Sequence, residues 1–311
     1  MKVAVLKGGR SLERGVSLRS GARVEDALDR LGHEVVSIDV GGDLVKRLRA
    51  ERPDVAFVAM HGVGGEDGTA QELLEILRIP FTGPDAAACA RSIDKVMAKA
   101  TMRGAGIPTP DSFAFTQTAF RDLGAADALS GLERTLGFPL VVKPSRGGSS
   151  LGVKFAAAPA EVPGALVAAF SYDDRVMLER FIKGRELAVS VLGGEALPIV
   201  EAIPAAGDPY DFEARYEIGR THFVCPADLS PTERDAVTDA ALATCHALGC
   251  EGFARVDVML GADGPWVLEV NAIPGLTDTS LLPQAAEAAG IGFEDLVERI
   301  LHLALAPSGV S

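Results

Sequence analysis

Two segments near the C-terminus, FARVDVML and WVLEVNAIPG, carry polar side chains with the spacing of β-strands. Because the side chains of a strand alternate between two faces, Arg255 and Asp257 share one face, as do Glu269 and Asn271. A hairpin about the GADG turn brings all four together. A solvated polar face is the simpler interpretation of an isolated hairpin. However, two carboxylates and an amide oxygen suit Mg²⁺ bridged to phosphates, so we favour a metal site.

The segment LVVKPSRGGSSLGV has the features of a phosphate-binding loop. Lys143 ends an apolar strand, and a loop rich in glycine and serine follows it at once. A cation beside free N–H and O–H donors suits a polyphosphate, and Lys95 in SIDK is a candidate second cation. The Walker A pattern is absent because the lysine precedes the glycines. Alone, the loop is equally consistent with a surface hairpin; beside a metal patch it favours a nucleoside triphosphate.

Two loops near the N-terminus follow predicted strands. KGGRSLERG contains Glu13, which is either a first-turn carboxylate stabilised by the helix dipole or a ligand for a substrate ammonium group. HGVGGEDG begins with His61, which is either an ordinary loop histidine or a member of the same site. The glycine spacing does not match GxGxxG, so a dehydrogenase is a distant alternative.

The elements that must position these residues change in character along the chain. Through residues 1–90, strands and helices alternate, which predicts a parallel sheet with ligands at the carboxyl ends of its strands. Residues 91–180 contain a helix from SIDK onward, two antiparallel strands about SRGGSS, and the strand VMLERFI. Residues 181–311 begin with a hairpin of ELAVSVL and ALPIVEAI, and the capping box SPTE later starts a helix. A polar stretch at about 204–223 is predicted to be a lid.

Size and composition narrow the class of protein. The chain has 311 residues, of which 48% are apolar and 23% charged, as in a globular protein with an ample core. The net charge of −13 argues against nucleic-acid binding. The four cysteines form no CxxC pair and are expected to be reduced. We expect a cytoplasmic protein without a membrane span, because there is no signal peptide and no apolar run near ~20 residues.

The sequence motifs, taken in their order along the chain, resemble those of the D-alanine–D-alanine ligase family of ATP-grasp enzymes. The resemblance covers nearly the whole chain. It rests on LKGGRSLERGVSLRSG, HGVGGEDGTAQ, SIDK, VVKPSRGGSSLGV, LERFIKGRELAVSVL, YDFEARY, FVCPADL, ARVDVML and LEVNAIPGLTDTSLLP. It implies an α/β protein, α+β in the ATP-binding part, with the ATP-grasp fold. An N-terminal Rossmann-like substrate domain (1–90) would precede two ATP-grasp subdomains (91–180 and 181–311) that clasp the nucleotide.

The resemblance implies ATP as co-substrate and two Mg²⁺ ions, for which Mn²⁺ can substitute. The implied ATP contacts are Lys95, Lys143, Ser149, Ser150, Glu179, Arg180, Phe181, Ile182, Glu186 and Arg215. The implied metal ligands are Asp257, Glu269 and Asn271. Glu179 to Ile182 would receive the adenine, and Glu186 the ribose.

The resemblance also implies how the amino-acid substrates are held. The substrate contacts are Glu13, His61, Arg255, Gly275, Ser280 and Leu281. The catalytic set is Glu13, Ser149, Tyr216, Arg255 and Gly275. In these roles Glu13 binds the ammonium group of the first D-alanine, and Ser149 with Tyr216 links the phosphate loop to the lid. Arg255 and the N–H of Gly275 would stabilise the tetrahedral intermediate.

The implied reaction joins two D-alanines through a D-alanyl phosphate, for peptidoglycan precursors, in a homodimer. Four positions depart from the family pattern: Gly15, Gly147, Arg215 and Thr279. Thr279 stands beside the second-substrate site, so a ligase for D-lactate, D-serine or another amino acid is the main alternative. A non-catalytic nucleotide-binding protein is a further alternative, against which the complete set of candidate residues argues.

Overall fold

A parallel β-sheet organises the N-terminal part of the computed structural model, which describes residues 1–124, 131, 134–204 and 221–306. Its elements are β1 (Lys2–Lys7), α1 (Arg14–Arg30), β2 (Glu34–Asp39), α2 (Leu44–Glu51), β3 (Val55–Val58) and α3 (Thr69–Leu77). The strands lie in the order β2-β1-β3, all parallel, and β1 and β3 are continuous apolar runs buried on both faces. The predicted parallel sheet is confirmed.

Two consecutive helices lead into a second, antiparallel sheet. They are α4 (Ala86–Ile93) and α5 (Lys95–Gly104), and the carboxylate of Asp94 between them accepts two N–H groups from the first turn of α5. The following elements are β4 (Ser112–Thr116), α6 (Gln117–Asp122), β5 (Leu140–Pro144), β6 (Lys154–Ala156), a 3₁₀ turn (Pro159–Glu161), α7 (Val162–Phe170) and β7 (Arg175–Arg180). The sheet order is β4-β7-β5-β6, so the predicted antiparallel pair about SRGGSS is confirmed.

A third sheet, also antiparallel, forms the C-terminal half of the fold. Its elements are β8 (Gly184–Leu192), β9 (Glu195–Ala196), β10 (Val200–Pro204), β11 (Thr221–Val224), α8 (Pro231–Leu248), β12 (Phe253–Gly261) and β13 (Gly264–Asn271). The strand order is β11-β10-β8-β12-β13, and β9 pairs with β8. ALPIVEAI, predicted as one strand, is split into β9 and β10 because Pro198 between them has no N–H for the ladder.

The capping box predicted at the start of α8 is present. The Ser230 hydroxyl accepts the N–H of Glu233, and the Glu233 carboxylate accepts the N–H of Ser230. Gly249 ends the helix with a φ of 72°, a left-handed conformation that glycine adopts at little cost. The buried side of α8 packs with β8, β12 and β13 in one apolar cluster.

The last two helices, α9 (Leu281–Ala288) and α10 (Phe293–Leu305), pack their apolar residues into the same core as the first sheet. The chain thus returns to its N-terminal part, and the predicted domain boundaries stay predictions. The four cysteines are free thiols, as expected. Within the described ranges, no helix combines the length and apolar character needed to cross a membrane.

Candidate active site

A large cleft of about 430 Å³ lies between the second and third sheets. Most of the predicted nucleotide contacts line it, namely Lys95, Lys143, Ser150, Glu179, Arg180, Phe181, Ile182 and Glu186. Apolar side chains that sequence analysis did not single out complete its walls, among them Val141, Val153, Met259 and Leu268. This volume, and this mixture of apolar walls with a few charged and polar side chains, are typical of a cleft for a small organic ligand. Arg215 lies outside the described residues.

Buried ion pairs fix one wall of the large cleft. Lys143 on β5 donates to Glu179 on β7 at 2.7 Å, and Lys99 on α5 contacts the other oxygen of that carboxylate at 2.5 Å. Burial raises the pKa of Glu179, but the two lysines outweigh it and hold that pKa below its usual value. Burial lowers the pKa of Lys99 to about 8, although Glu179 opposes this shift. Each oxygen of the Glu179 carboxylate is thus paired with one of the two lysines.

The phosphate loop is anchored at the start of α5. The N–H of Lys95 donates to Ser145 O at 3.0 Å, and its ammonium group donates to Gly147 O at 2.7 Å. Gly147 has a φ of 108°, a backbone conformation that favours glycine. Ser149 and Ser150 also have positive φ values, a strained backbone that is common at ligand-binding loops.

The hairpin β12–β13 brings the four predicted polar residues together. Arg255 pairs with Asn271 and Asp257 with Glu269 across the strands. The Arg255 guanidinium donates to both oxygens of Asp257, at 2.7 and 2.9 Å, and the Lys95 ammonium lies 3.3 Å from Glu269. Asn271 Oδ1 accepts the N–H of Ile273 at 3.0 Å. The hairpin therefore presents an oxygen-rich face on which two cationic side chains, Arg255 and Lys95, contact the carboxylates.

This donor set fits Mg²⁺ held jointly by protein and phosphate. Two carboxylates and an amide oxygen are hard oxygen ligands, and Mg²⁺ usually takes one or two carboxylates plus substrate phosphates. In the part of the chain that the structure describes, no cluster of three or more His, Cys, Asp or Glu residues is arranged to hold a metal.

A small pocket of about 40 Å³ opens beside the large cleft. All six predicted substrate residues line it, namely Glu13, His61, Arg255, Gly275, Ser280 and Leu281, together with Ser149 and the predicted metal ligand Asn271. Ser149 therefore lines this pocket, where its hydroxyl donates to Glu13, and it does not line the large cleft. A narrow gap of about 20 Å³ shares Lys95 and Glu269 with the large cleft and Ser149 and Arg255 with the small pocket. Tyr216 lies outside the described residues.

The backbone of the AIPG turn forms one side of the small pocket. A Cβ atom added at Gly275 would lie 2.7 Å from Ser280 Oγ, so only glycine lets the turn close on this serine. The Ser280 hydroxyl also accepts the N–H of Thr277 at 3.0 Å. These contacts hold the start of α9 against the pocket.

Three buried residues of the site were missed by sequence analysis. Lys99 lies four residues after Lys95, a helical spacing that places both on one side of α5 and was available as a signal. Glu66, in HGVGGEDG, lies 3.4 Å from His61 Nδ1 and lines the small pocket. Ser20 contacts His61 Nε2 at 3.0 Å, and although it lies within LKGGRSLERGVSLRSG, sequence analysis gave it no role.

Comparisons with known proteins agree with this arrangement. A sequence model of the D-ala D-ala ligase C-terminus matches residues 101–302, and one of the D-ala D-ala ligase N-terminus matches residues 42–84. The D-alanine–D-alanine ligase of Syntrophotalea carbinolica is 45% identical over 300 residues, 96% of this chain and 95% of that protein. The chain belongs to the D-alanine–D-alanine ligase family.

Crystal structures of this ligase family share the fold. The D-alanine–D-alanine ligase of Bacillus anthracis matches with a TM-score of 0.87 and 38% identity over 98% of this chain and 97% of that chain. Its complex with ATP matches with a TM-score of 0.84 and 35% identity over the same shares. The predicted ATP-grasp fold, ligase activity and use of ATP are confirmed, whereas the roles of individual residues stay predictions.

Proposed function

We propose that this ligase joins two D-alanine molecules at the expense of ATP, through a D-alanyl phosphate, to supply peptidoglycan precursors. The observation that carries the proposal is the contact between the two cavities. Glu269 and Lys95 border the large cleft, and Glu13 and Arg255 border the small pocket, with a shared gap between them. A phosphoryl group bound in the first cavity can therefore meet a carboxylate bound in the second.

In the first step, an oxygen of the first D-alanine carboxylate attacks the γ-phosphorus, and the bond to the β-phosphate oxygen breaks. Glu13 holds the ammonium group of this D-alanine. Lys95 and Lys143 neutralise charge on the phosphates, since phosphoryl transfer depends mainly on positioning and electrostatics. Asp257, Glu269 and Asn271 would hold two Mg²⁺ ions, or Mn²⁺ in their place, which supply charge neutralisation at the phosphates when bound.

In the second step, the amine of the second D-alanine, free of its extra proton, attacks the acyl carbon. A C–N bond forms, the bond from that carbon to the phosphate oxygen breaks, and inorganic phosphate leaves with the proton that the amine loses. The Arg255 guanidinium and the Gly275 N–H stabilise the tetrahedral oxyanion, and losing one such donor typically costs about 10²–10³ in rate. Ser280 and the backbone at Leu281, at the start of α9, hold the second carboxylate.

We infer that the polar stretch predicted as a lid closes over the acyl phosphate, since this intermediate must be shielded from water. Of that stretch, residues 221–223 lie in β11, and residues 205–220 lie outside the described residues. The proposal includes a homodimer in the cytoplasm. Sedimentation of the purified chain at several concentrations tests the dimer, and a monomer at all of them would overturn it.

The reaction is tested by phosphate release from ATP and Mg²⁺ with D-alanine, with L-alanine, and with D-alanine plus D-lactate or D-serine. Release with D-alanine alone, together with the mass of a dipeptide, is expected. Turnover only with a mixed pair would keep the chemistry but change the second substrate. No release with any combination would overturn the proposed function.

A further inference from the structure

Helix α1 holds the chain at Leu276, the residue that directly follows the AIPG turn, through two hydrogen bonds. The Leu276 N–H donates to Ser20 Oγ at 3.1 Å, and the Leu276 carbonyl accepts from Arg23 at 2.8 Å. Ser20 and Arg23 lie three residues apart on α1, so they project from the same side of the helix. Both peptide groups that flank Leu276 are therefore held by one helix.

The Ser20 contact continues to His61. His61 Nδ1 lies 3.0 Å from the Ile273 carbonyl, which only accepts, so a neutral imidazole carries its proton on Nδ1. His61 Nε2 then accepts the hydroxyl proton of Ser20, which lies 3.0 Å away. The Ser20 oxygen in turn accepts from Leu276. Ser20 is fully buried, so water does not replace these partners.

Arg23 is itself fixed by two further contacts. Its Nε lies 3.0 Å from the carboxylate of Asp278, and its guanidinium stands 3.8 Å above the ring of Phe293 on α10. A planar guanidinium held at three points has little freedom, so it defines the position of the carbonyl that it binds. The turn is thus tied to α1 and, through Arg23, to α10.

The N-terminal end of α1 carries Glu13, its N-cap residue. We infer that Ser20 and Arg23 are positioning residues that set the second D-alanine site, Ser280 and its loop, relative to the first-substrate ammonium site at Glu13. The inference rests on the proposed function. If the loop is released from α1, a smaller fraction of the molecules has it in the binding conformation. The apparent affinity for the second substrate then falls in proportion to that fraction.

Arg23→Met tests the inference, because it keeps the apolar stem and removes the guanidinium. Arg30→Met is the matched control, since Arg30 also joins α1 to α10, through Glu294 at 2.7 Å, at the far end of the helix. Initial rates over a range of D-alanine concentrations give separate apparent Michaelis constants for the first and the second D-alanine, called here the first and second constants. We expect Arg23→Met to raise the second constant about tenfold, the scale of one hydrogen bond to a charged group.

Three further readouts make the result specific. The first D-alanine constant, the KM for ATP, and oxygen-isotope scrambling in ATP, which reports acyl-phosphate formation, are expected to stay within about twofold. Arg23→Lys should recover part of the second constant because it restores a cation beside Asp278. Ser20→Ala should act in the same direction as Arg23→Met, with thermal unfolding measured in parallel.

An unchanged second constant in Arg23→Met, or an equal rise in all constants, would overturn the inference and leave Arg23 a purely structural residue. An equal effect in Arg30→Met would also overturn it. These outcomes are distinct from failure of the proposed function, in which the unmodified chain itself does not turn over D-alanine.

Discussion

The large cleft and the small pocket lie side by side but are built differently. The large cleft, of about 430 Å³, is lined by strands of two antiparallel sheets and has apolar walls. The small pocket, of about 40 Å³, is lined mainly by charged and polar side chains from loops and helix ends. An apolar cleft binds a large ligand by burying its surface, whereas a small polar pocket selects a ligand by matched charges and hydrogen bonds.

The partners within each cavity also differ in sequence separation. In the large cleft, Lys143 and Glu179 lie on directly paired strands and are 36 residues apart in the sequence. Around the small pocket, the bond from Ser149 to Glu13 spans 136 residues, and the bond from Leu276 to Ser20 spans 256. A change at the Lys143–Glu179 pair should therefore stay local, whereas a change at the small pocket should be felt along α1.

The largest effect is expected from Glu269→Gln, because Glu269 lies where the two cavities meet. Removing the charge of one proposed metal ligand should leave the fold intact and nearly abolish turnover. ATP-dependent phosphate release over a range of Mg²⁺ concentrations measures this, with thermal unfolding as the check on folding. Glu251→Gln, at an exposed turn residue before β12, is the control. Normal turnover by Glu269→Gln would remove the metal assignment.

A smaller effect, confined to the large cleft, is expected from Lys99→Met. At pH 7 the apparent KM for ATP should rise about tenfold, because Glu179 would then pair with Lys143 alone and leave less positive charge for the phosphates. Burial lowers the pKa of Lys99 to about 8, so Lys99 loses its proton as the pH rises through 8. The KM for ATP of the unmodified ligase should therefore rise across pH 8, and that of Lys99→Met should not.

Lys154→Met is the control for charge alone, because Lys154 is an exposed lysine on β6, in the sheet that carries Lys143 and Glu179. The two D-alanine constants of Lys99→Met should remain unchanged. If they rose together with the KM for ATP, the separation between the two cavities would be lost.

A still smaller effect is expected from Tyr216→Phe, in the proposed lid. We propose that this tyrosine favours the dipeptide over the depsipeptide, so its loss should raise the depsipeptide fraction roughly fivefold, the scale of one neutral hydrogen bond. Product masses from mixtures of D-alanine and D-lactate measure the ratio. Tyr210→Phe, in the same lid, is the matched control. Unchanged ratios would exclude Tyr216 from specificity.

The smallest effect on activity is expected from Ser230→Ala, because Ser230 lines neither cavity. Loss of the capping box should lower the free energy of unfolding by about 0.5–2 kcal/mol, with all kinetic constants unchanged. Denaturant unfolding measures the stability, and Thr232→Ala, an exposed neighbour, is the control. A change in the KM for ATP would show that α8 is coupled to the large cleft.

The strand periods and the caps were sufficient for the parallel sheet, the β12–β13 hairpin and the start of α8, whereas most residues of the large cleft were implied only by the family resemblance. The period of two placed Asp257 beside Glu269, and the paired strands confirm that neighbourhood. The same approach identified the capping box at Ser230. These features depend on the steric rules of the backbone over a few residues, which the local sequence carries.

Tertiary structure alone decided which buried polar groups share partners. Nothing in the spacing of Lys99 and Glu179 indicates that one carboxylate serves two lysines, and no motif connects Ser20 to Leu276. Such pairings arise because a buried charge or N–H must find a partner wherever the fold brings one near. The sequence by itself determined the candidate chemistry, and the packing of α1 and α5 decided how that chemistry is positioned.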